Sequence, residues 1–204
     1  QFEVGVQTFN PAVQALISRK QDNARTEDNL RWLRQHSQAH LHADLIIGLP
    51  GEDMASFGQG FDRLVALGPH EIQVGILKRL RGAPIARHTE SHGMRYNPLP
   101  PYEIFATDCI DFVTMRRLAR FARYWDMLAD APFARFLQFS DWLYAQTGMT
   151  GDLALDRLFR LLHEGLTALF EVEESALHAA LKSDFNRTGN QGMPRFLRAG
   201  AVSE

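Results

Sequence analysis

Three short apolar runs, Phe2 to Thr8, Ala43 to Gly48 and Glu71 to Leu77, are separated by two stretches of helical periodicity, and this alternation constrains the chain more than any other feature. Strand, helix, strand alternation is the signature of a parallel sheet, because parallel neighbours must be joined by a crossover. The Val, Ile and Leu content suits strands buried on at least one face. In the first crossover Asn10 before Pro11 is a helix start, and Val13, Leu16 and Ile17 supply an apolar stripe. Thr26 is expected to cap a second helical piece carrying Leu30 and Leu33. The next crossover places Phe57, Phe61, Leu64 and Val65 at helical spacing and is stopped by Gly68 and Pro69.

Beyond residue 82 the grammar changes. Arg81 to Tyr102 holds four prolines and two glycines, which reads as a connector. Helical periodicity then predicts helices over Ile104 to Leu128, Ala131 to Thr147, Leu153 to Phe170 and Glu173 to Phe185. Leu118, Phe121, Trp125 and Leu128 form the expected buried stripe of the first. The fold class expected is α/β followed by an all-α domain, divided as residues 1–82, a linker at 83–101, and 102–204.

With 204 residues, 45% hydrophobic and 23% charged, and a formal net charge of -2, the composition is that of a soluble chain with enough length for a sizeable core. The charge balance offers nothing for nucleic acid or an acidic membrane surface, and no apolar run approaches the roughly 18 to 20 residues that span a bilayer. The single cysteine, Cys109, has no internal disulfide partner, and the first residues lack a signal-peptide pattern. A cytoplasmic location is expected.

In a parallel sheet, ligands gather beyond the carboxyl ends of the strands. That edge should carry Gln7, Thr8 and Asn10 after the first strand, Gly48 to Glu52 after the second, and Lys78 after the third. Gly48 and Gly51 would let the backbone approach a flat ligand, although from spacing alone GLPGE reads as a structural turn and helix cap. Neither GxxxxGK[ST] nor GxGxxG is present, which argues against a nucleotide triphosphatase and a dinucleotide site. His36, His40 and His42 suggest a zinc site, against which stands a solvated helix end with no completing Cys or carboxylate. His88 and His92 are expected at the surface. Arg116, Arg117, Arg120 and Arg123 beside Phe121, Tyr124 and Trp125 suggest RNA stacking, or more simply a solvated helix face diluted by Asp108, Asp111, Asp126 and Asp130. Asn186-Arg187-Thr188 matches a glycosylation acceptor by chance, and no Ser/His/Asp arrangement is defensible.

The ordered set EVGVQTFNPAVQALISR, ADLIIGLPGED and FDRLVALGPHEIQVGILKRLRGAPI resembles the second half of the radical S-adenosylmethionine core, in its Elp3/MiaB/HemN-type variant. The segment YEIFATDCIDFVTMRRLARFARYWD, with a close at FLRAG, is similar to the helical domain that follows the core in B12-binding radical enzymes, some labelled as magnesium-protoporphyrin monomethyl ester oxidative cyclases. The resemblance implies a partial TIM-like barrel of about three parallel strands in residues 2 to about 85. It also implies roles. Glu3 and Gln7 line the cavity near S-adenosylmethionine, Arg19 reaches its carboxylate, and Ile46 to Gly51, with Gly48 and Gly51 at the turn, supports the adenine. Glu52 is expected to be more structural, and Thr8 stands where the family usually has Ser.

The family holds its 4Fe-4S cluster through CxxxCxxC, which this sequence lacks, and Cys109, expected in a helix, cannot replace three thiolates. The chain therefore reads as a C-terminal portion of a radical S-adenosylmethionine enzyme, possessing neither the first barrel strands nor a cobalamin domain, and inactive alone. Cofactors of the parent would be S-adenosylmethionine, a 4Fe-4S cluster and cobalamin. Its partners would be the missing N-terminal part or a second copy, meeting the unpaired first strand. The alternative is a non-catalytic interaction or dimerisation module.

Overall fold

The structure is a computed structural model that describes residues 1–125, 131–190 and 192–198. Strands β1 (Phe2–Gln7), β2 (Leu41–Ile47) and β3 (Glu71–Ile76) form a three-stranded parallel sheet in the order β1-β2-β3. Between them run α1 (Pro11–Leu16), α2 (Asn23–His36) and α3 (Met54–Leu67). The mixed α/β class read from the sequence is therefore the observed one.

Local chemistry explains where each helix begins. Asn10 Oδ1 accepts from the N–H groups of Ala12 and Val13 at the start of α1, with Pro11 at the first helical position. The cap of α2 is Asp22 and not Thr26: Asp22 accepts from Arg25 N, while the Thr26 hydroxyl turns back to the Asp22 carbonyl inside the first turn. Asp53 caps α3, and Gly68 closes it in the left-handed conformation that the sequence anticipates.

Burial alternates along β2: Leu41, Ala43, Leu45 and Ile47 are buried, and His42, Asp44 and Ile46 are only half-buried. The buried face carries the core with Val6, Val13, Leu30, Phe61, Leu64 and Val74. The opposite face is polar and partly open.

Contacts, more than sequence periodicity, set the extent of the first compact unit, which runs from Gln1 to Leu137 and so takes in the connector and the next helix. The physical reason is an aromatic cluster. Helix α4 (Phe112–Trp125) packs on β3, with Phe121 and Trp125 lying 5.1 and 4.6 Å from the Phe61 ring, and Trp125 Nε1 donating to Ile72 O at 2.9 Å. Phe133 and Phe136, at the start of α5 (Phe133–Thr147), join the same cluster.

The helix expected over Ile104 to Leu128 begins later. Ile104–Ala106 is strand β5, paired antiparallel with β4 (Arg95–Tyr96). Thr107 Oγ1 then accepts from the N–H groups of Cys109 and Ile110, turning the chain, and Asp111 accepts from Thr114 N as α4 starts. Cys109 is consequently exposed in a turn and not helical. Leu128, Asp126, Asp130 and the Ala-Gly that ends FLRAG lie outside the described residues.

The second unit, Gln138 to Glu204, is described through residue 198 and is helical. It holds the rest of α5 with α6 (Leu155–Leu169), α7 (Glu174–Arg187) and a short α8 (Arg195–Arg198) that periodicity did not anticipate. Phe159, Leu177, Leu181, Phe185 and Leu197 make its core, and Gly165 lets α6 approach Phe139 and Trp142. No helix among the described residues is long and apolar enough to cross a membrane.

Candidate functional site

The half-open sheet face is built from alternate residues of the three strands. Register aligns Glu3 with His42 and Glu71, Gly5 with Asp44 and Gln73, and Ile46 with Gly75. Because the side-chain period of a strand is two, this single register decides which groups share the face.

Near its carboxyl end β1 is irregular: the pairing shifts between Gly5 and Gln7, and Gln7 takes a positive φ of 68°. The Gln7 side chain folds back over Gly5, so closely that a Cβ on Gly5 would stand 2.4 Å from Gln7 Nε2 and 4.0 Å from Arg19 Nη2. Arg19 donates through Nη2 to the Gly5 carbonyl and through Nε to Gln21 Oε1 at 2.7 Å. Gly5 is thus the space in which an amide and a guanidinium meet. Gln7 Oε1 is buried and has no hydrogen-bond partner among the described residues, which marks it as an acceptor awaiting a donor.

Across the strand pair, Asp44 continues the site. Burial raises its carboxyl above the ordinary carboxylate range; His42 opposes that rise, while Glu3 and Glu71 add to it by like-charge repulsion. His42 Nε2 stands 3.3 Å from Asp44 Oδ1, near enough for charge pairing but without hydrogen-bond alignment. Glu71 faces both His42 Nδ1, at 4.0 Å, and His40 Nε2, at 3.4 Å. The face is therefore acidic and polar, suited to a ligand that is cationic or rich in hydroxyl and amine donors.

At the strand ends a buried network ties two loops together. Thr8 Oγ1 donates to Glu52 Oε1 at 2.5 Å, and Ser56 Oγ reaches the same oxygen at 3.4 Å. Asn10 supports both hydroxyls, its backbone N donating to Thr8 Oγ1 at 3.0 Å and its Nδ2 to Ser56 Oγ at 2.8 Å. Glu52 Oε2 has no partner among the described residues, and burial raises the Glu52 pKa to about 7 against the lowering effect of Thr8 and Ser56. Glu52 acts here as a brace between the loop after β1 and the loop after β2.

The sequence-predicted residues divide into two groups. Glu3, Gln7, Arg19 and Ile46 belong to or border the polar face. Gly48 and Gly51, at φ 90° and 76°, turn the chain, but the space beside them is filled from within: a Cβ on Gly48 would stand 2.6 Å from Ile104, and one on Gly51 3.0 Å from Leu16. Asp44, Gly5 and Gly75 were missed as site residues. The signal was available, since Asp44 is two residues before Ile46 and strand alternation puts both on one face.

The histidines are placed differently from expectation. His36 is the last residue of α2 and His40 lies beyond it, so the two share no helix face. His88 and His92 are half-buried: His88 Nε2 meets Leu16 O at 2.8 Å, and His92 Nδ1 stands 3.4 Å from Asp108 Oδ2. Phe121, Tyr124 and Trp125 are buried in the core and unavailable for base stacking. No group of three or more His, Cys, Asp or Glu among the described residues could hold a metal ion.

Comparison with known proteins adds a consistent set of relatives. Over 142 residues, 66% of this chain, the sequence is 29% identical to the oxygen-independent coproporphyrinogen III oxidase of Paracoccus denitrificans. The chain is similar to the HemN-type coproporphyrinogen III oxidases. The enzymes of the same name from Synechocystis sp. and Cereibacter sphaeroides are 34% and 31% identical over 70 and 71 residues. These matches span 31%, 15% and 16% of the relatives' own lengths, so the chain corresponds to about a third or less of each. Among solved structures, HemN of Escherichia coli, described as a radical SAM enzyme, aligns with 90% of this chain and 54% of its own at 18% identity and a TM-score of 0.37. No family model matches the chain. The relatives are porphyrinogen oxidases, and neither the B12-binding nor the oxidative cyclase label of the resemblance has a counterpart among them; cobalamin finds no support.

Proposed function

We propose that residues 1–82 form one wall of the S-adenosylmethionine cavity of a HemN-like radical enzyme, and that the helical residues 102–204 serve the substrate side. The observation that supports this most is that Gln7 and Arg19 both border Gly5, which pairs in register with Asp44, while Gln7 Oε1 is buried and unpartnered among the described residues. A guanidinium pairs with a carboxylate, an unpartnered amide oxygen accepts from an amine or hydroxyl, and Asp44 accepts from a ribose hydroxyl or ammonium. These groups fit S-adenosylmethionine in kind. When bound and reductively cleaved, it supplies a 5′-deoxyadenosyl radical; the chain's own residues bind it, orient it and limit water at the sheet face.

The 4Fe-4S cluster does not fit the residues present. Cys109 is the single thiol of the sequence and sits exposed in the turn before α4, so cluster ligands must come from elsewhere. On this reading the chain is inactive alone and belongs to a cytoplasmic enzyme of which another part supplies the cluster loop. The edge of β1 favours such a partner, or a second copy: among the described residues β1 pairs with β2 alone, and Phe2 is half-exposed at its start.

Amide-resolved NMR of the chain with millimolar S-adenosylmethionine tests the reading. Shifts confined to residues 3–8, Arg19, Asp44 and Ile46 are expected, with weak affinity. Uniform small shifts, or none, would overturn it.

A further inference from the structure

His42 lies on the polar sheet face among three carboxylates. Register sets Glu3 of β1 and Glu71 of β3 on either side of it, and Asp44 follows two residues later on the same strand. Its Nε2 stands 3.3 Å from Asp44 Oδ1 and its Nδ1 4.0 Å from Glu71 Oε2. Nε2 and Asp44 Oδ1 are both shielded from water, and neither has a hydrogen-bond partner among the described residues. Two buried polar atoms left unpaired side by side are costly, so the pair is poised to take up a third group or a proton.

The three carboxylates are not equivalent. Glu3 and Glu71 are exposed, where water and salt screen their charge, and Glu71 also faces His40 Nε2 at 3.4 Å. Beyond Glu71, the His40 ring stacks on His70, which meets Arg34 at 3.0 Å, and all three of these side chains are exposed at the amino ends of the strands. The Asp44 side chain is only 20% exposed; burial raises its carboxyl, and His42 is the neighbour that opposes the rise.

We propose that His42 and a cationic ligand compete for Asp44: a protonated imidazole neutralises the carboxylate from within, and a ligand's ammonium or sulfonium takes its place as that proton leaves to solvent. Two cations at one half-buried carboxylate repel more strongly than they would in water. Histidine is the side chain whose charge ordinarily changes between about pH 5 and 8, so the unprotonated fraction sets the apparent affinity. This competition rests on the function proposed above and adds a proton-controlled regulation to the same site.

Titration of the whole chain with S-adenosylmethionine, followed by NMR at about pH 5.5 and about pH 7, tests the competition; over that range the ligand's own ammonium stays charged. Binding should be about fivefold tighter at the higher pH, and His42→Gln should abolish the difference. In the native chain, saturating ligand should also lower the pH midpoint at which the His42 ring signals titrate, a readout that needs no variant. Equal affinity at both pH values in the native chain, or an unmoved His42 midpoint, would overturn the proposal and leave the earlier reading standing. A pH dependence that persists in His42→Gln would belong to another group, such as Glu52, and would overturn it too. If S-adenosylmethionine binds at neither pH, the earlier reading falls and the competition falls with it.

Discussion

Thr8 and Glu52, 44 residues apart, share a 2.5 Å hydrogen bond inside the protein, and through it the loop leaving β1 is fastened to the loop leaving β2. Glu52 is 2% exposed and its second carboxyl oxygen is unpaired among the described residues, so ionising it in place is costly. With the folded pKa near 7 and the unfolded value near 4.5, the folded state holds the extra proton between those pH values. Stability from this group is therefore complete below pH about 4.5 and declines as pH rises through about 7, by about 3 kcal/mol in all. Urea unfolding from pH 5 to 8 should show that decline, and Glu52→Gln should flatten it. A pH-independent midpoint in the native protein would contradict the assignment.

Thr8→Val removes the donor and keeps the shape. It leaves Glu52 with Ser56 alone at 3.4 Å, and a cost of about 1–3 kcal/mol is expected. Because the lost bond favoured the charged form, the decline with pH should also shift to higher values. Denaturant melts of the variant over the same pH range check both.

Gly5→Ala probes the meeting of Gln7 and Arg19. The added Cβ would collide first with the far end of the Gln7 side chain, 2.4 Å away, and that end can move cheaply. Stability should change little, while the amide is driven off its place. Loss of the S-adenosylmethionine shifts at Asp44 without a lower thermal midpoint is the expected pair of results.

Gly58→Ala tests the α3 to α5 approach inside the first unit. A Cβ there would lie 2.5 Å from the Phe133 ring, and the Phe133 backbone is fixed by its own N–H donating to Asp62 Oδ1 at 2.6 Å. Overpacking of this kind costs about 1–3 kcal/mol. A thermal melt reads it directly.

Phe2→Lys addresses the β1 edge. The native chain should self-associate in analytical ultracentrifugation at concentrations where the variant does not, because a lysine on an edge strand opposes strand pairing. A strictly monomeric native chain would remove the case for a second copy.

Much of this was readable beforehand. The alternation of apolar runs determined three parallel strands, since no shorter connection than a crossover can join them, and Asn10-Pro11 and Gly68 marked helix ends through purely local hydrogen bonding and backbone freedom. The start of α4 was not readable, because the Ile104–Ala106 pattern fits either a helix or a strand until β4 is beside it.

What the sequence by itself determined, then, is periodicity: which residues alternate, which cap, and that one cysteine cannot hold a cluster. Register was left to the tertiary structure. Pairing of β1 with β2 set Gly5 against Asp44, the shift after Gly5 swung Gln7 over it, and packing of Ile104 and Leu16 closed the spaces beside Gly48 and Gly51. Such outcomes depend on contacts between residues far apart in the chain, whose energies no local pattern encodes.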